Sequence, residues 1–388
     1  MKICITNGKI LSPEPMPDGF GIFIDGENIV EVKPVVDVPE DFYQIDADGY
    51  WVVPGLIDIH IHGSLGTDTM DKCPEAMHEM ACYFTSKGVT RFLPTTVASS
   101  TQNITKAIDR IRSFRQPSDG ARVLGIHLEG PYLGTEHKGA QPEEHLRMAH
   151  PDEYIPWLES GLIKMFTVAP EVDGVLELIE MGSKMGVNFA VGHSSAPYDI
   201  MVQAIDRGLS QVTHIFNGMP SLHHRQPGVL GAVLTDNRVY AQVISDGVHL
   251  HPVIVKLIFI TKGIERTVLI TDAIRATGVE DGLHALGDQM ITVKEGIART
   301  ESGSLAGSTL TMDQAVRNAI KFSGKELWEV IRSATSVPAE SIGLSDRIGS
   351  IKPGFRADLL FLDEKLYPCR TLIAGKTVYQ KNKQSQNN

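Results

Sequence analysis

The sequence predicts an α/β protein, a (β/α)8 TIM-like barrel with a small β-sandwich domain formed from both chain termini. Eight short apolar runs alternate with helical stretches through the middle of the 388-residue chain, a pattern typical of parallel strands joined by crossover helices. The chain has neither GxGxxG nor GxxxxGK[ST], which disfavours a Rossmann or flavodoxin-like sheet. Strand and turn patterns occupy both ends instead. We therefore expect residues 54–343 to form the barrel, and residues 1–53 plus 344–388 to form the small domain.

The predicted barrel strands are short apolar runs that end in polar or turn-forming residues. They span residues 56–62, 90–95, 122–129, 164–169, 188–193, 211–214, 240–245 and 267–271. Helical segments between them include residues 75–87, 102–114, 175–185 and 197–207. Function in such a barrel lies at the carboxyl ends of the strands, so polar residues at those ends are the candidates.

Turn signals define the strands of the small domain. Asn7-Gly8 predicts a tight hairpin between residues 3–5 and 9–11, and the turn at 25–28 predicts another between 22–24 and 29–32. Near the other end, residues 357–362 and 371–379 indicate strands beside turns at 352–354 and 375–376. Neither end can bury a core alone, so we expect the two to pack together. The polar residues 380–388 are predicted to fray.

The composition disfavours several classes of partner. The formal net charge of -11 argues against nucleic acid or an anionic membrane as the main partner.

The four cysteines have no CxxC or secreted-domain spacing, so reduced thiols and a cytoplasmic location are expected. The opening MKICITNGKIL lacks the apolar run of a signal peptide, and no window approaches the ~18 apolar residues of a membrane span.

Two histidines in the first barrel strand point to a metal. In a strand, residues two apart face the same side, so His60 and His62 direct both imidazoles towards one point. One histidine in an apolar run is more often a packed core residue, but a pair at this spacing suits a shared cation.

Further candidate ligands stand at the ends of other strands. Singly, each has a structural alternative: a helix cap for Asp272, an ion pair for Glu129, a packed core for His214. Their joint occurrence at equivalent strand ends favours a metal centre. The candidate ligands are His60, His62, Glu129, His193, His214 and Asp272.

Nitrogen and carboxylate ligands without thiolate suit a catalytic divalent ion, such as Zn, Fe, Mn or Co. Such an ion lowers the pKa of bound water to roughly 7, which predicts hydrolysis of an amide or ester. Asp272 is the candidate for the base that moves the proton to the leaving amine. No GxSxG elbow offers a serine nucleophile.

Four segments that follow the strands are candidates to contact a phosphorylated substrate. The loop 217–228 holds Arg225 beside two histidines, although such a charge run is more often a solvated face. The loop 132–141, which ends in Gln141, is long enough to act as a lid or a wall. His249 is a candidate to polarise a carbonyl, whereas His251 before Pro252 more simply caps a helix. Residues 305–308 could present backbone amides to an anion.

The combined motifs resemble the amidohydrolase superfamily and, within it, the N-acetylglucosamine-6-phosphate deacetylases. The resemblance spans nearly the whole chain through the HxH strand and HLEGPYLG, KGAQ, VGHSSA, THIFNGM, SDGVHLHP, LITDA and SLAGSTL. It implies hydrolysis of the acetamide of N-acetylglucosamine 6-phosphate, in amino-sugar catabolism and cell-wall recycling. It also implies a homodimer in which Arg225 reaches the neighbour's site.

The resemblance assigns residues to three roles. Glu129, His193 and His214 become metal ligands, and Asp272 becomes the acid/base. Because His60 and His62 are also present, it favours two ions per subunit, Zn or Fe with Mn or Co as alternatives, bridged by Glu129. Lys164 lies at the wrong end of its strand to bridge as a carboxylated lysine. The residues implied around the sugar phosphate are Ala140, Gln141, Asn217, Gly218, Arg225, His249, Leu305, Ala306, Gly307 and Ser308.

Two other functions remain open at this point. An amidohydrolase could act on the galactosamine epimer or on a cyclic amide, although the absence of a bridging lysine weakens a dihydroorotase or hydantoinase assignment. A metal-free barrel could serve as an assembly scaffold, but that would be marked by loss of the ligand set, which is complete here.

Overall fold

The computed structural model describes residues 1–287 and 289–381, and strands alternate with helices through the middle of the chain. The strands are β1 (Lys2–Thr6), β2 (Lys9–Ile10), β3 (Phe20–Asp25), β4 (Asn28–Pro34), β5 (Tyr43–Asp46), β6 (Trp51–Pro54), β7 (Leu56–Ile61), β8 (Gly63–Ser64), β9 (Thr67–Asp68), β10 (Val89–Pro94), β11 (Arg122–Val123), β12 (Ile126–Glu129), β13 (Ile163–Val168), β14 (Asn188–Val191), β15 (Leu209–Val212), β16 (Tyr240–Ile244), β17 (Thr267–Ile270), β18 (Gly282–Leu286), β19 (Gln289–Lys294), β20 (Ile297–Thr300), β21 (Leu359–Leu362), β22 (Pro368–Ile373) and β23 (Lys376–Gln380).

The helices lie mainly between the strands of the central region. The α-helices are α1 (Pro74–Ser86), α2 (Thr101–Ser113), α3 (Pro151–Glu159), α4 (Val175–Lys184), α5 (Tyr198–Asp206), α6 (Gly228–Thr235), α7 (Pro252–Lys262), α8 (Met312–Ser323), α9 (Leu327–Val330) and α10 (Ser336–Ser341). Short 3-10 helices lie at Glu143–His145, Ile264–Arg266 and Ile331–Ala334. None of the helices in the described residues is long and apolar enough to cross a membrane.

The parallel strands of the central region form a TIM-barrel-like arrangement. Strands β12 to β17 pair in sequence order in one sheet, and β11, β10 and β7 form a second. Parallel bridges link the two sheets at both sides, from Thr95 to His127 and from Ile61 to Ala273. Fully buried apolar side chains on nearly every strand pack against the surrounding helices. The carboxyl ends of the strands therefore meet at one rim.

The predicted strands and helices of this region are largely confirmed. Each of the eight predicted runs contains a strand, and the four predicted helices correspond to α1, α2, α4 and α5, with ends that differ by a residue or so. The run 122–129 is divided between β11 and β12. It breaks at Gly125, whose φ of 148° and close approach to Lys164 leave no room for a side chain.

Two sheets from the chain ends form a separate small core. Their strand orders are β4-β3-β1-β5 and β2-β6-β21-β22-β23, so the second sheet joins residues from both ends. Buried residues such as Ile3, Ile22, Val52, Leu359 and Leu372 pack together between them. The structure describes this region only as far as residue 381, and the predicted frayed tail beyond it lies outside the described residues.

The predicted hairpin at Asn7-Gly8 is wrong, whereas the one at residues 25–28 is confirmed by the antiparallel pairing of β3 with β4. Asn7 does adopt the left-handed conformation, with φ of 55°. The turn, however, passes the chain from one sheet to the other, because β1 pairs in parallel with β5 and β2 in parallel with β6. Gly8 is needed because a Cβ there would lie 2.6 Å from Val52.

A three-stranded antiparallel sheet, β18-β19-β20, was not predicted from the sequence. It follows β17 and buries Leu286, Ile291 and Val293 against Val97 and Ala306. The alternation of apolar and polar residues through 291–294 and the Glu295-Gly296 turn are the signals that could have found it. The sheet adds a wall beside the rim of the strands.

Candidate active site

The strand ends bring all six predicted ligands together. His60 lies in β7 with His62 just beyond its end, and Glu129 is the last residue of β12. His193, His214 and Asp272 each lie two residues beyond the end of β14, β15 and β17, respectively. All six side chains are buried or nearly so, although imidazole and carboxylate groups rarely bury without partners.

The six side chains form two groups that share one carboxylate. In the first group, His60 Nε2 lies 3.3 Å from His62 Nε2, and Asp272 Oδ1 lies 3.3 Å and 3.1 Å from these two atoms. In the second, Glu129 Oε1 lies 3.4 Å from His193 Nε2 and 3.2 Å from His214 Nε2. Glu129 also faces the first group, at 3.6 Å from His60 and 3.4 Å from His62.

The other ring nitrogen of each histidine faces an oxygen acceptor. A carbonyl oxygen can only accept, so Nδ1 carries the proton and Nε2 presents its lone pair to the centre. This arrangement holds histidines in metal centres, and the donor set fits a divalent cation. The acceptors are Gln242 Oε1 for His60 at 3.2 Å, Thr95 O for His62 at 3.1 Å, His137 O for His193 at 3.0 Å and Asn217 O for His214 at 3.1 Å.

Electrostatics show that the centre requires positive charge. Burial would lower the pKa of His62, but hydrogen bonds with Asp272 and Glu129 raise this pKa well above its usual value. Burial would also raise the pKa of Glu129, yet the charge of His60 and hydrogen bonds from His193 and His214 hold it well below its usual range. Without a cation, a proton on His62 Nε2 supplies this positive charge; a bound cation would displace that proton and face the Nε2 lone pair.

A buried aspartate fixes the register of two strand ends. Asp58 Oδ1 accepts the backbone N–H of His60 at 3.2 Å, and Asp58 Oδ2 accepts the Thr271 hydroxyl at 2.5 Å. Burial raises the pKa of Asp58 to about 7. Asp58 was not predicted from the sequence, although an aspartate that shares the face of His60 and His62 in an apolar strand is a signal for it. It ties the first strand to the segment that leads into Asp272.

Gln141, at the end of the loop 132–141, contacts one of the six predicted ligands. Its Nε2 donates to Glu129 Oε2 at 2.8 Å, and its Oε1 accepts the Ala98 N–H at 2.8 Å. The side chain is buried. Gln141 therefore links a predicted metal ligand, Glu129, to the backbone of Ala98. This contact with Glu129 was not predicted from the sequence.

A cavity of about 440 Å³ opens above the six residues. Its lining includes most of the predicted substrate residues: Ala140, Gln141, Asn217, Gly218, His249, Leu305 and Gly307. Ala306 and Ser308 are buried behind this lining, and Ser308 N donates to Asp272 O at 2.8 Å. Arg225 lies away from the lining, on an exposed loop where its guanidinium contacts His224 at 2.8 Å.

His249 is oriented by an aspartate one turn earlier. Asp246 Oδ2 lies 2.6 Å from His249 Nδ1, and Asp246 Oδ1 accepts the backbone N–H groups of Val248 and His249, both at 2.8 Å. Burial would raise the pKa of Asp246, but its bond and charge interaction with His249 lower it. Nδ1 is thereby engaged, which leaves Nε2 as the ring nitrogen available to the cavity.

Several lining residues were not predicted individually. Glu136 and His137 come from the loop 132–141, which was expected to act as a lid or a wall, and it does line the cavity. Leu286 comes from the unpredicted sheet, and Ser304 follows that sheet. These residues reach the site only through tertiary packing, so no local pattern identified them.

Comparison with known proteins gives consistent matches. A family model described as "Amidohydrolase family" matches residues 51–387. The chain is 37% identical over 372 residues to an N-acetylgalactosamine-6-phosphate deacetylase of Escherichia coli O157:H7, covering 95% of this chain and 97% of that protein. It is 37% identical over 385 residues to an N-acetylglucosamine-6-phosphate deacetylase of Lysinibacillus sphaericus, covering 98% and 99%.

A solved structure extends the similarity to the whole fold. It is an N-acetyl-D-glucosamine-6-phosphate deacetylase variant from Mycobacterium smegmatis in complex with N-acetyl-D-glucosamine-6-phosphate. The TM-score is 0.89 at 31% sequence identity, covering 97% of this chain and 99% of that one.

Proposed function

Because this chain belongs to the amidohydrolase family, we propose that it hydrolyses the acetamide of N-acetyl-D-glucosamine 6-phosphate to D-glucosamine 6-phosphate and acetate. The convergence of four imidazole Nε2 atoms and two carboxylates below one cavity is the observation that carries the proposal. Relatives named for this activity match nearly the full chain. The reaction serves amino-sugar catabolism and cell-wall recycling.

The ligand set would hold two divalent ions, Zn or Fe, with Mn and Co also suited to it. His60, His62 and Asp272 would hold one ion, His193 and His214 would hold the other, and Glu129 would be available to both. The distances from Glu129 Oε1 to both groups support this division. When bound, the ions would lower the pKa of the attacking water and stabilise the negative charge that develops on the oxygen of the amide carbonyl.

Asp272 and His249 do the protein's part of the chemistry. Asp272 lies at the junction of the ligand set and the cavity, where it takes a proton from the attacking water and returns it to the leaving amine. His249 donates its Nδ1–H to Asp246 and, as the doubly protonated imidazolium that this carboxylate stabilises, donates from Nε2 to the substrate carbonyl as negative charge develops there.

The sugar phosphate lies along the cavity, and a second subunit completes its binding site. Asn217, Gly218, Leu305 and Gly307 offer polar and backbone groups to the sugar, and Ala306 and Ser308 support them from behind. Arg225 binds the phosphate of the partner's substrate. The exposure of residues 221–226 supports this role in trans. Helix α7 packs beside α6, which the loop enters, and α7 exposes a stripe suited to a homodimer contact: Val253 62%, Leu257 41% and Ile260 69%.

The finer architecture follows the same proposal. The eight parallel strands close into one (β/α)8 barrel over residues 54–343, supported by the bridges at Thr95 and Ile61. The small domain predicted for residues 1–53 and 344–388 is a β-sandwich, supported by the core that its described residues share. The four cysteines, unpaired in the structure, fit a reducing cytoplasm.

Acetate release by the purified, metal-analysed protein tests the activity. The panel is N-acetylglucosamine 6-phosphate, its galactosamine epimer and unphosphorylated N-acetylglucosamine. Fast release from the first sugar alone is expected. The Escherichia coli relative supports the epimer as the second candidate, and preferential release from the epimer would select it. No release from either phosphorylated sugar, with metal bound, would contradict the substrate assignment.

Metal analysis of three variants tests the ion count. His60→Asn and His193→Asn should each reduce the number of bound ions per chain from two towards one, whereas Glu129→Gln should weaken the binding of both ions.

Arg225→Ala tests the contribution in trans. Its activity towards the phosphorylated sugar should fall, and mixing this variant with inactive Asp272→Asn protein should restore part of that activity. Failure of mixed dimers to recover activity would contradict the contribution in trans.

A further inference from the structure

A second cluster of metal-binding side chains lies outside the candidate active site. His78 and Cys82 are four residues apart on α1, so they share one face of that helix. Asp119 belongs to the segment between α2 and β11. The three ligand atoms all lie within 4.8 Å of one another. None of these residues lines the cavity above the ligand set described earlier.

The distances match a tetrahedral zinc site. With Zn–N near ~2.0–2.1 Å and Zn–S near ~2.3 Å, the nitrogen and sulfur of a tetrahedron lie about 3.5 Å apart. His78 Nε2 is 3.5 Å from Cys82 Sγ and 3.9 Å from Asp119 Oδ2. The carboxylate is 61% exposed, so a small rotation of Asp119 brings it to the shorter separation.

The backbone fixes this arrangement independently of the side chains. Ala121 N donates to Ala81 O at 2.8 Å, which holds the segment against α1. Gly120 makes the approach close: a Cβ there would lie 3.0 Å from Ala81. Cys82 and Asp119 are the immediate neighbours of these contacts in sequence, so the chain holds the ligands together before any ion binds.

We propose that His78, Cys82 and Asp119 form an auxiliary Zn²⁺ site, with water in the fourth position, that clamps α1 to the segment before β11. Thiolate with imidazole selects a borderline-soft ion over Mg²⁺ or Ca²⁺. On binding, the Cys82 S–H bond breaks, its proton leaves to solvent and a Zn–S bond forms, with no change of oxidation state. Burial and the neighbouring Asp119 raise the pKa of this thiol, so the cation must displace its proton.

Cobalt distinguishes this site from the proposed catalytic centre. Co²⁺ gives a near-ultraviolet charge-transfer band only when a thiolate is bound, and the six candidate ligands of the active site include no cysteine. Titration of the full chain with Co²⁺, after a chelator has removed other metals, should therefore produce the band, and added Zn²⁺ should remove it. The matched variant is Cys73→Ser, because Cys73 is exposed at the start of the same helix and its Sγ donates to Glu75 at 2.8 Å.

The proposal requires the band in the wild type and in Cys73→Ser, its loss in Cys82→Ser, and at least tenfold weaker Co²⁺ binding in His78→Gln. Both altered side chains are at least partly exposed, so these variants should fold and keep deacetylase activity. Micromolar Zn²⁺ should also raise the melting temperature of wild type more than that of Cys82→Ser. No band in the wild type, or a band that survives in Cys82→Ser, overturns the proposal.

Discussion

Replacing Gln141 with alanine should weaken metal binding although Gln141 itself is not a ligand in the proposed centre. The amide holds Glu129 Oε2 at 2.8 Å while Glu129 Oε1 faces His193 and His214. Removing the amide frees the carboxylate to rotate, so it must be reordered when cations bind. The same side chain accepts the N–H of buried Ala98 at 2.8 Å, and alanine leaves that donor without its acceptor.

The two contacts give two separate magnitudes. A hydrogen bond to a charged group contributes about 1.5–3 kcal/mol, and each 1.4 kcal/mol is about tenfold in an equilibrium constant. Cation affinity should therefore fall about 10- to 100-fold, the usual cost of losing a residue that orients a metal ligand. The unsatisfied Ala98 N–H should reduce the free energy of unfolding of metal-free protein by about 1–3 kcal/mol.

Chelator competition measures the affinity, and urea unfolding of metal-free protein measures the stability. Gln203→Ala is the matched control because Gln203 is exposed on α5. It should change neither quantity by more than the error of the measurement. Unchanged cation affinity in Gln141→Ala, together with a raised KM for the sugar phosphate, would refute the reasoning and return Gln141 to a purely substrate-binding role.

Three further substitutions test other parts of the molecule. Asp272→Asn should keep the fold and at least one bound ion but lower kcat by about 100-fold or more, because the proton carrier is lost; near-normal turnover would contradict its role. Asp246→Asn should lower kcat about 10- to 100-fold with a smaller change in KM, since His249 loses a charged partner; steady-state kinetics, with unchanged circular dichroism, measure this. Glu153→Gln should destabilise the fold by about 2 kcal/mol at neutral pH, because Glu153 accepts two hydrogen bonds from Arg147. Burial would raise the pKa of Glu153 but its hydrogen bonds lower it, so this contribution is present above its ordinary value of 4.5 and is lost as pH falls through the lowered pKa. Urea unfolding from pH 7 to pH 3 should show the difference between the two proteins shrinking, and a constant difference would contradict the ion-pair account.

The ligand positions could be predicted because two simple rules of β-structure act together. Alternation along β7 puts His60 and His62 on one side, and parallel strands put their carboxyl ends on one rim. Neither rule requires the packing of the core. For this reason the sequence located six residues that meet within hydrogen-bonding distance, although their roles as ligands remain a proposal.

The supporting contacts could not be predicted in the same way. Gln141 reaches Glu129 across 12 positions of irregular loop, and Asp58 reaches Thr271 across 213 positions. Such pairs depend on where separate segments settle after packing. The Asn7-Gly8 turn failed for a related reason: its local conformation was as expected, but strand pairing with β5 and β6 decided the direction of the chain.

The backbone of the site shows a further limit of pattern reasoning. His193, His214 and Asp272 have φ of 48°, 31° and 51°, a left-handed region that costs non-glycine residues about 1–3 kcal/mol each. Histidine and aspartate tolerate this region better than most residues, but the sequence alone gives no sign that it is used. This conformation turns the backbone sharply just after each of the three strands and so directs the side chain across the rim. The strain persists because the same turns are tied elsewhere, as where Asp272 N donates to His60 O at 2.9 Å and Asp272 O accepts from Ser308 N at 2.8 Å. Strand ends therefore select which residues reach the site, and these strained turns, anchored by neighbouring strands, set how closely their ligand atoms approach.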